Sequence, residues 1–545
     1  MKSSLVRLCL ILLLTGVISF AQFFNNSFTF EPLYSFYPDA SNLYFLHNFK
    51  DPTLFTRDLF TKNYRQSFNF FNNEFIYVKI YSFLLQIFPL SLAVKIVSLV
   101  LCIITTLLIY KIGIKLYSSN FSLFFSGLFL VYFLSMDSFF GGQMRNFGIL
   151  LVIIFLFFLV SEQKFVLPFL LPLSALFYSY LLPTFVIVCI LFIVASKDNT
   201  LKTRQYILWL ALNIVISLFF IIGIGGGGIT HTCLSSLSIY GTRKYLLSVK
   251  TPINPGSLPQ IILFFILNMN EHSRLYFYLT LFFLVFNLII AFVRQRLTSK
   301  FKLPRPIGIM LLSSSISFLA IYPFHPFIAS RQFIFIVPLF LVFLFSLNFY
   351  EIIKYKLRPH IFLAFIIICF LILHPLYNDV KDYKKYKPLY DYIENLPTGI
   401  LVAGNPKSDL TRTIPFFSKR AIFLSDKLSF TDRFTYSEEE SIKRRKQLIE
   451  ALYADSWNPI NEFISQYKID YFVLEDIYYD PSFLNFLNNL VYPSDKILYN
   501  FLKEKMYQKN FLLLEFAKKN YDFKCYVNGH EVFILRSSKI INGKS

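Results

Sequence analysis

The sequence predicts an α-helical polytopic membrane protein with a soluble α/β domain at its C-terminal end, and three observations carry that expectation. Of 545 residues, 55% are hydrophobic and only 16% charged, and the mean hydropathy is +0.54, too apolar for a water-soluble chain of this length. Hydrophobic runs of helical length recur as far as Tyr377, separated by polar loops. Beyond Tyr377 short apolar runs alternate with amphipathic helical patterns, as in a soluble domain. The formal charge of +21 does not indicate nucleic acid, because Lys and Arg fall in short clusters between the hydrophobic runs, as cytoplasmic loops require.

Met1 to Gln22 joins a basic start (Lys2, Arg7) to an apolar run, a pattern shared by signal peptides and first transmembrane helices. Ser19-Phe20-Ala21 offers a small-x-small cleavage site, and the uncleaved helix is the preferred reading. Residues 23–74 form a loop containing Asp39, Asp51 and Asp58. Phe75–Phe88 is too short and too polar at its flanks to count as a span, and is expected along the membrane surface. Further spans are expected at Ser91–Tyr110, Phe121–Leu134, Phe147–Val160, Phe165–Ser179, Leu181–Ala195 and Tyr206–Gly223. Leu275–Phe292, Ile307–Tyr322, Phe333–Leu347 and Ile361–His374 complete a total of about eleven.

A cytoplasmic N-terminus puts Lys111/Lys115, Lys164, Lys197/Lys202/Arg204, the cluster from Arg294 to Arg305 and Lys354/Lys356/Arg358 on the inner side, an unbroken positive-inside pattern. The outer side then collects the aspartate loop, Ser135–Arg145, Gly225–Arg274, Pro323–Arg331 and everything after Tyr377. The expected units are a transmembrane domain over residues 1–377 and an extracytoplasmic α/β domain over 378–545. In the latter, strands are expected at Ile400–Ala403, Ala421–Leu424, Tyr471–Leu474 and Glu531–Leu535, and helices at Ser437–Tyr453 and Asn458–Tyr467. The segment SEEESIKRRKQ reads as a solvated helix face. Cys9, Cys102, Cys189 and Cys369 lie in apolar runs and read as core residues, which leaves Cys233 and Cys525 outside.

Between Phe75 and Tyr377 the acids are Asp137, Glu162, Asp198, Glu271 and Glu351, each at the predicted end of a span. Ion-coupled transport needs ionisable groups at mid-membrane, so the pattern favours chemistry at the outer interface. There Asp39 follows LYSFYP and precedes the helix-like ASNLYFLHNF. A carboxylate at a helix N-terminus stays ionised and can serve as a general base; the alternative for Asp39 is a plain N-cap. Asp58 carries the same two readings, and Asp51 before Pro52 reads as a turn residue.

The loop YPDASNLYFLHNFKDPTLFTRDLF after a first helix, the many later helices and the soluble C-terminal domain on the same face together resemble the GT-C superfamily of polytopic glycosyltransferases. Protein O-mannosyltransferases and aminoarabinose transferases belong to it. FFGGQMRNFG, YPFHPFIASRQF and LYDYIENLPTGILVAGNP resemble its bacterial members. The resemblance implies an inverting sugar transfer from a polyprenyl-phosphate donor to an extracytoplasmic acceptor, at the plasma membrane of a bacterium. It implies Asp39 as the base or acceptor-positioning residue. Ala40 stands where the family often has a second acid, which argues against a metal there and leaves Asp58 as the second carboxylate.

The donor phosphate needs cations, and Arg331, with His325 near it, and Arg145 beside Gly141-Gly142 are the candidates. Each arginine has the alternative of snorkelling to lipid headgroups. No close His or Cys spacing indicates a metal site; no cofactor is assigned, and a divalent metal is left open. Two rival functions are a lipid-linked sugar flippase or exporter, which would line a path with polar groups, and a non-catalytic scaffold that binds a partner.

Overall fold

The computed structural model describes residues 2–24, 35–36, 38–58, 61, 65, 75–134, 144–178, 181–195, 200–222, 281–287, 289, 304–321, 326–353, 381–425, 438–480, 482–483, 502–503 and 511–542. The chain is mostly helical, with a small sheet near its C-terminal end. Helix α1 (Lys2–Phe24) leads to a short strand β1 (Ser35–Phe36), a 3₁₀ helix (Pro38–Leu46) and α2 (His47–Lys50). Then follow α3 (Phe75–Ile87), α4 (Leu90–Leu116), α5 (Ser119–Leu134), α6 (Met144–Val160), α7 (Val166–Tyr178), α8 (Leu182–Ala195) and α9 (Thr200–Ile222). Residues 281–287 are helical, and α10 (Arg305–Ile321) and α11 (Pro326–Ile353) complete the described bundle.

The bundle helices are apolar all round, so packing rather than amphipathicity fixes their order. Helix α4 lies against α1, α5 and α6; α11 closes on α5 and α10, and α7 on α6 and α9. Gly113 of α4 lets α5 approach, since a Cβ there would stand 2.8 Å from the Ser122 backbone. Polar side chains join helices inside: Asn348 Nδ2 donates to Asn287 Oδ1 at 3.1 Å, and Asn287 Nδ2 to the Leu341 carbonyl at 3.1 Å. Outward faces carry Leu13, Val17, Phe169, Val194, Leu208, Val215 and Leu319, each at least 60% exposed, an apolar exterior of a kind water does not tolerate.

Among the described residues one helix, α4, is long and apolar enough to cross a membrane by length and composition. The helices expected at Phe121–Leu134, Phe147–Val160, Phe165–Ser179, Leu181–Ala195, Tyr206–Gly223, Ile307–Tyr322 and Phe333–Leu347 are present as α5 to α11. Ile361–His374, most of Leu275–Phe292, Gly225–Arg274 and the 377/378 boundary lie outside the described residues. Phe75–Phe88 is the helix α3: Tyr77, Val78, Tyr81 and Leu85 are buried, while Phe83 and Ile87 are exposed. Cys102 and Cys189 are buried as expected, but Cys9 faces outward, and Cys525 is a free, half-buried thiol. Cys233 and Cys369 lie outside the described residues.

Helix α4, with 27 residues, is about 40 Å long and gives the bundle two ends. At its far end Lys115 donates to Ser161 at 2.6 Å, Arg7 donates to Ser119, and Ser118 donates to Tyr350 at 3.2 Å. At its near end Leu90, Ala93, Val94 and Val97 join the core that also buries the aspartate loop and the C-terminal sheet.

That sheet follows β2 (Lys381–Asp382) and α12 (Lys387–Glu394). Its strands are β3 (Leu401–Gly404), β4 (Ala421–Ile422), β5 (Tyr471–Glu475), β6 (Phe523–Val527) and β7 (His530–Arg536), in the order β4-β3-β5-β7-β6. Strands β3, β4 and β5 are parallel, through crossovers containing α13 (Asp409–Ser418), α14 (Glu438–Leu452) and α15 (Trp457–Tyr467). Strand β7 runs antiparallel to β5 and forms a hairpin with β6. The hairpin turns at Asn528 (φ 53°) and Gly529 (φ 83°), the left-handed pair that such two-residue turns require. The segment expected as a solvated helix face is only partly so: Arg444 stacks over Phe423 and Tyr467, 4.2 and 4.9 Å from the ring centres.

Candidate active site

Asp39 lies in the first turn of the 3₁₀ helix, which starts one residue earlier at Pro38. Asp39 is therefore inside the helix and not its N-cap, close to the positive end of the dipole. Nine residues is long for a 3₁₀ helix, a form that rarely exceeds one turn and collects at functional segments. Its Ser41, Leu43, Tyr44, Phe45 and Leu46 are buried, against α13 and α3. Tertiary packing, not propensity, holds the unusual form.

Asp58 closes the loop. Its Oδ2 accepts from Tyr44 Oη and from Thr61 Oγ1, both at 2.5 Å. Tyr44 stands on the 3₁₀ helix five residues after Asp39, so Asp58 is tied to the element that carries Asp39. The turn before Asp58 bends at Phe55, which is buried and has a φ of 59°. A left-handed conformation at a bulky residue costs of order 1–3 kcal/mol and collects where surrounding structure imposes it; here the Phe55 ring meets Tyr44 edge-on at 5.1 Å. Asp51 is the turn residue expected of it: Thr53 donates to its Oδ1 through N–H at 2.9 Å and Oγ1 at 2.7 Å. Those bonds hold its carboxyl below the usual range.

Two further residues were invisible to sequence reasoning because their partners lie far along the chain. His47 is buried, and its Nε2–H donates to the Phe416 carbonyl of α13 at 2.9 Å. Burial lowers its pKa to about 4, with Lys419 and Lys50 acting in the same direction. Arg57 donates to Asp470 Oδ2 at 2.5 Å and to the carbonyls of Tyr467 and Lys468 at 3.0 and 2.5 Å. Inside the sheet a third group is unusual: Glu475, at the end of β5, is buried and accepts from Ser408, the N-cap of α13. Burial pushes its pKa up to about 7, and Asp409 and Asp476 add to the rise.

Arg145 lies in the first turn of α6, at the end of the bundle nearest the loop, since α6 finishes beside Lys115. Arg331, expected in the loop before Phe333, is the sixth residue of α11; α11 also points its start toward the loop, since its Tyr350 lies at the far end beside Ser118. Asp39, Asp58, Arg145 and Arg331 thus belong to one end of the bundle. His325 lies outside the described residues. No group of three or more His, Cys, Asp or Glu converges among the described residues.

No protein-family model and no curated protein matches the chain. Among solved structures, the oligosaccharyltransferase of Archaeoglobus fulgidus, crystallised with Zn and sulfate, aligns with a TM-score of 0.51 at 11% identity, over 88% of this chain and 69% of its own. The oligosaccharyltransferase AglB of the same organism, with an inhibitory peptide and a dolichol-phosphate, aligns over 90% of this chain and 72% of its own, at 0.47 and 12%. The mycobacterial arabinofuranosyltransferase AftD aligns over 86% and 36%, at 0.46 and 12%. The alignment at a TM-score of 0.51 shows a fold shared with that archaeal oligosaccharyltransferase, a fold of the kind that the loop, the helices and the C-terminal domain led us to expect.

Proposed function

From that shared fold, we propose that the protein is a membrane glycosyltransferase that moves a sugar from a polyprenyl-phosphate donor to an acceptor on the outer side of the membrane. The reading divides the chain into a multispan domain over residues 1–377, with about eleven helices, and an α/β domain over 378–545. The N-terminus is cytoplasmic and the membrane is a bacterial plasma membrane. What supports it is that the loop carrying Asp39 and Asp58 and the helix starts carrying Arg145 and Arg331 lie toward the end of the bundle that packs on the C-terminal sheet. The basic end with Arg7, Lys115 and Lys164 is opposite, which agrees with the positive-inside order.

In the proposed reaction the acceptor oxygen attacks the anomeric carbon and the bond from that carbon to the phosphate oxygen breaks. Asp39 takes the acceptor's proton, and the polyprenyl phosphate leaves as an anion. Arg331 and Arg145, with His325, stabilise the charge that develops on the leaving phosphate. Asp58 holds the 3₁₀ helix through Tyr44. The fold also admits a divalent ion, since the archaeal enzyme was crystallised with Zn; no step above needs one.

The test is sugar release and transfer by the purified, lipid-reconstituted protein from a panel of labelled polyprenyl-phosphate sugars. Asp39→Asn is expected to lower turnover at least about a hundredfold, the scale of a lost general base. Turnover unaffected in a folded Asp39→Asn protein would return Asp39 to a structural role, and movement of intact donor across the bilayer would favour a flippase.

A further inference from the structure

We infer that Arg57 is a positioning residue through which the C-terminal sheet sets the catalytic loop, an inference that rests on the glycosyltransferase reading for its kinetic consequence. Arg57 serves two neighbouring groups of the sheet at once. One is the end of α15, where the last carbonyls have no partner within the helix and Lys468 turns left-handed (φ 53°); Arg57 Nη2 caps the carbonyls of 467 and 468. The other is Asp470, whose Oδ2 also accepts from the Leu401 N–H at 2.8 Å. Asp470 therefore joins the start of β3, the approach to β5 and the loop in one carboxylate.

On the loop side the path is short. Asp58 follows Arg57 in the chain, accepts from Tyr44, and Tyr44 belongs to the helix of Asp39. Any shift of the α15 end relative to the bundle is thus passed through Arg57 to the Asp58 turn and then to the 3₁₀ helix. Arg57 is not what keeps the loop folded. Ser35–Phe36 pairs with Lys381–Asp382, His47 bonds Phe416, and Leu43 to Leu46 share the sheet's core. Those contacts hold the loop down, and Arg57 fixes where its Asp58 end lies. The guanidinium is needed for its shape, because one ammonium cannot reach a carboxylate and two carbonyls in that fork.

The experiment compares wild type, Arg57→Gln and Asp470→Asn, reconstituted at full length. The readouts are steady-state kinetics with a labelled polyprenyl-phosphate sugar and hydrogen exchange of the peptide over residues 51–58. Asp470→Asn keeps an acceptor for the Leu401 N–H, so it serves if Arg57→Gln does not fold. Expected are a fall in kcat of about 10- to 100-fold, the cost of a small displacement at the reacting centre, and an unchanged KM for the donor. Exchange over 51–58 rises about tenfold while that over 43–48 is unchanged. The double variant is no worse than Arg57→Gln alone, because that substitution already removes the contact with Asp470. Unchanged kcat and unchanged exchange in Arg57→Gln overturn the inference. A wild type that consumes no donor, with exchange still faster in the variant, overturns the glycosyltransferase reading and leaves the positioning role of Arg57 standing.

Discussion

His47 and Glu475 are held in their neutral forms by burial, and they respond to pH with opposite signs. The pKa of His47 falls from an ordinary 6.5 to about 4, so the unfolded chain takes up a proton that the folded one refuses. Its contribution to stability is present above pH 6.5 and is lost as pH falls toward 4. For Glu475 the pKa rises from 4.5 to about 7, so the folded chain holds a proton that the unfolded one releases. That contribution is present below pH 4.5 and is lost as pH rises toward 7. The two slopes oppose one another between pH 4.5 and 6.5. Melting temperatures from pH 4 to 8 are expected to fall more steeply on the acid side in Glu475→Gln than in wild type, and less steeply there in His47→Gln. Glu475→Gln is also expected to gain stability at pH 8, by up to about 3 kcal/mol at 1.36 kcal/mol per unit. Superimposable curves for wild type and both variants would mean that neither group is buried as described.

The elements differ in how far they could be read from the sequence, and the difference has physical causes. Long apolar periods and buried parallel strands are local signals: Leu401–Gly404 and Tyr471–Glu475 appear within one residue of expectation. The helices Leu90–Leu116, Thr200–Ile222 and Pro326–Ile353 are found where expected but extend beyond the expected bounds by up to about seven residues. Helix α13 escaped because Thr411, Thr413 and Pro415 make it a poor helix by propensity; it forms because Ser408 caps it and eight of its residues are buried against neighbours. Strand β6 escaped as a half-exposed edge, although Asn528-Gly529 before a strand was a legible hairpin signal. At the site, Asp39 and Asp58 stood out by type and place, but the partners of Arg57 and His47 are 413 and 369 residues away, a separation no periodicity encodes. The packing of α13 on β3 turns on Gly404, where a Cβ would meet Thr411 Oγ1 at 2.4 Å and the Val473 carbonyl at 3.2 Å. A β-branched side chain on a helix cannot swing away, so Gly404→Ala is expected to destabilise the sheet by about 1–3 kcal/mol. A drop of several degrees in melting temperature checks it, and an unchanged value would show that α13 is not so closely seated.

At the scale of the whole molecule, the near end of the helical bundle shares a hydrophobic core with the loop and the C-terminal sheet, while the rest of the bundle has a core of its own. The shared cluster contains Leu43 to Leu46, Leu54 and Phe55 of the loop, Tyr77 and Tyr81 of α3, Leu90 and Val94 of α4, and Leu389, Leu410, Phe416 and Phe472 beyond residue 381. Burial of one large apolar side chain stabilises by about 1.5–3 kcal/mol, so the loop owes several such contributions to residues that come last in the chain. A chain ended after residue 377 would lose β2, α13 and the α15 end together, and with them the pairing of Ser35–Phe36, the acceptor of His47 and the acceptors of Arg57. The bundle core around Phe121, Phe155, Phe185 and Val342 has no part in that cluster and should remain. Hydrogen exchange of the truncated protein in lipid is therefore expected to be at least about a hundredfold faster over residues 38–58 and unchanged in α5 and α8. Equal acceleration in both regions would mean that the bundle itself depends on the sheet. Protection retained over 38–58 would mean that α3 and α4 alone hold the loop, and the sheet would then be a neighbour of the site rather than one of its walls.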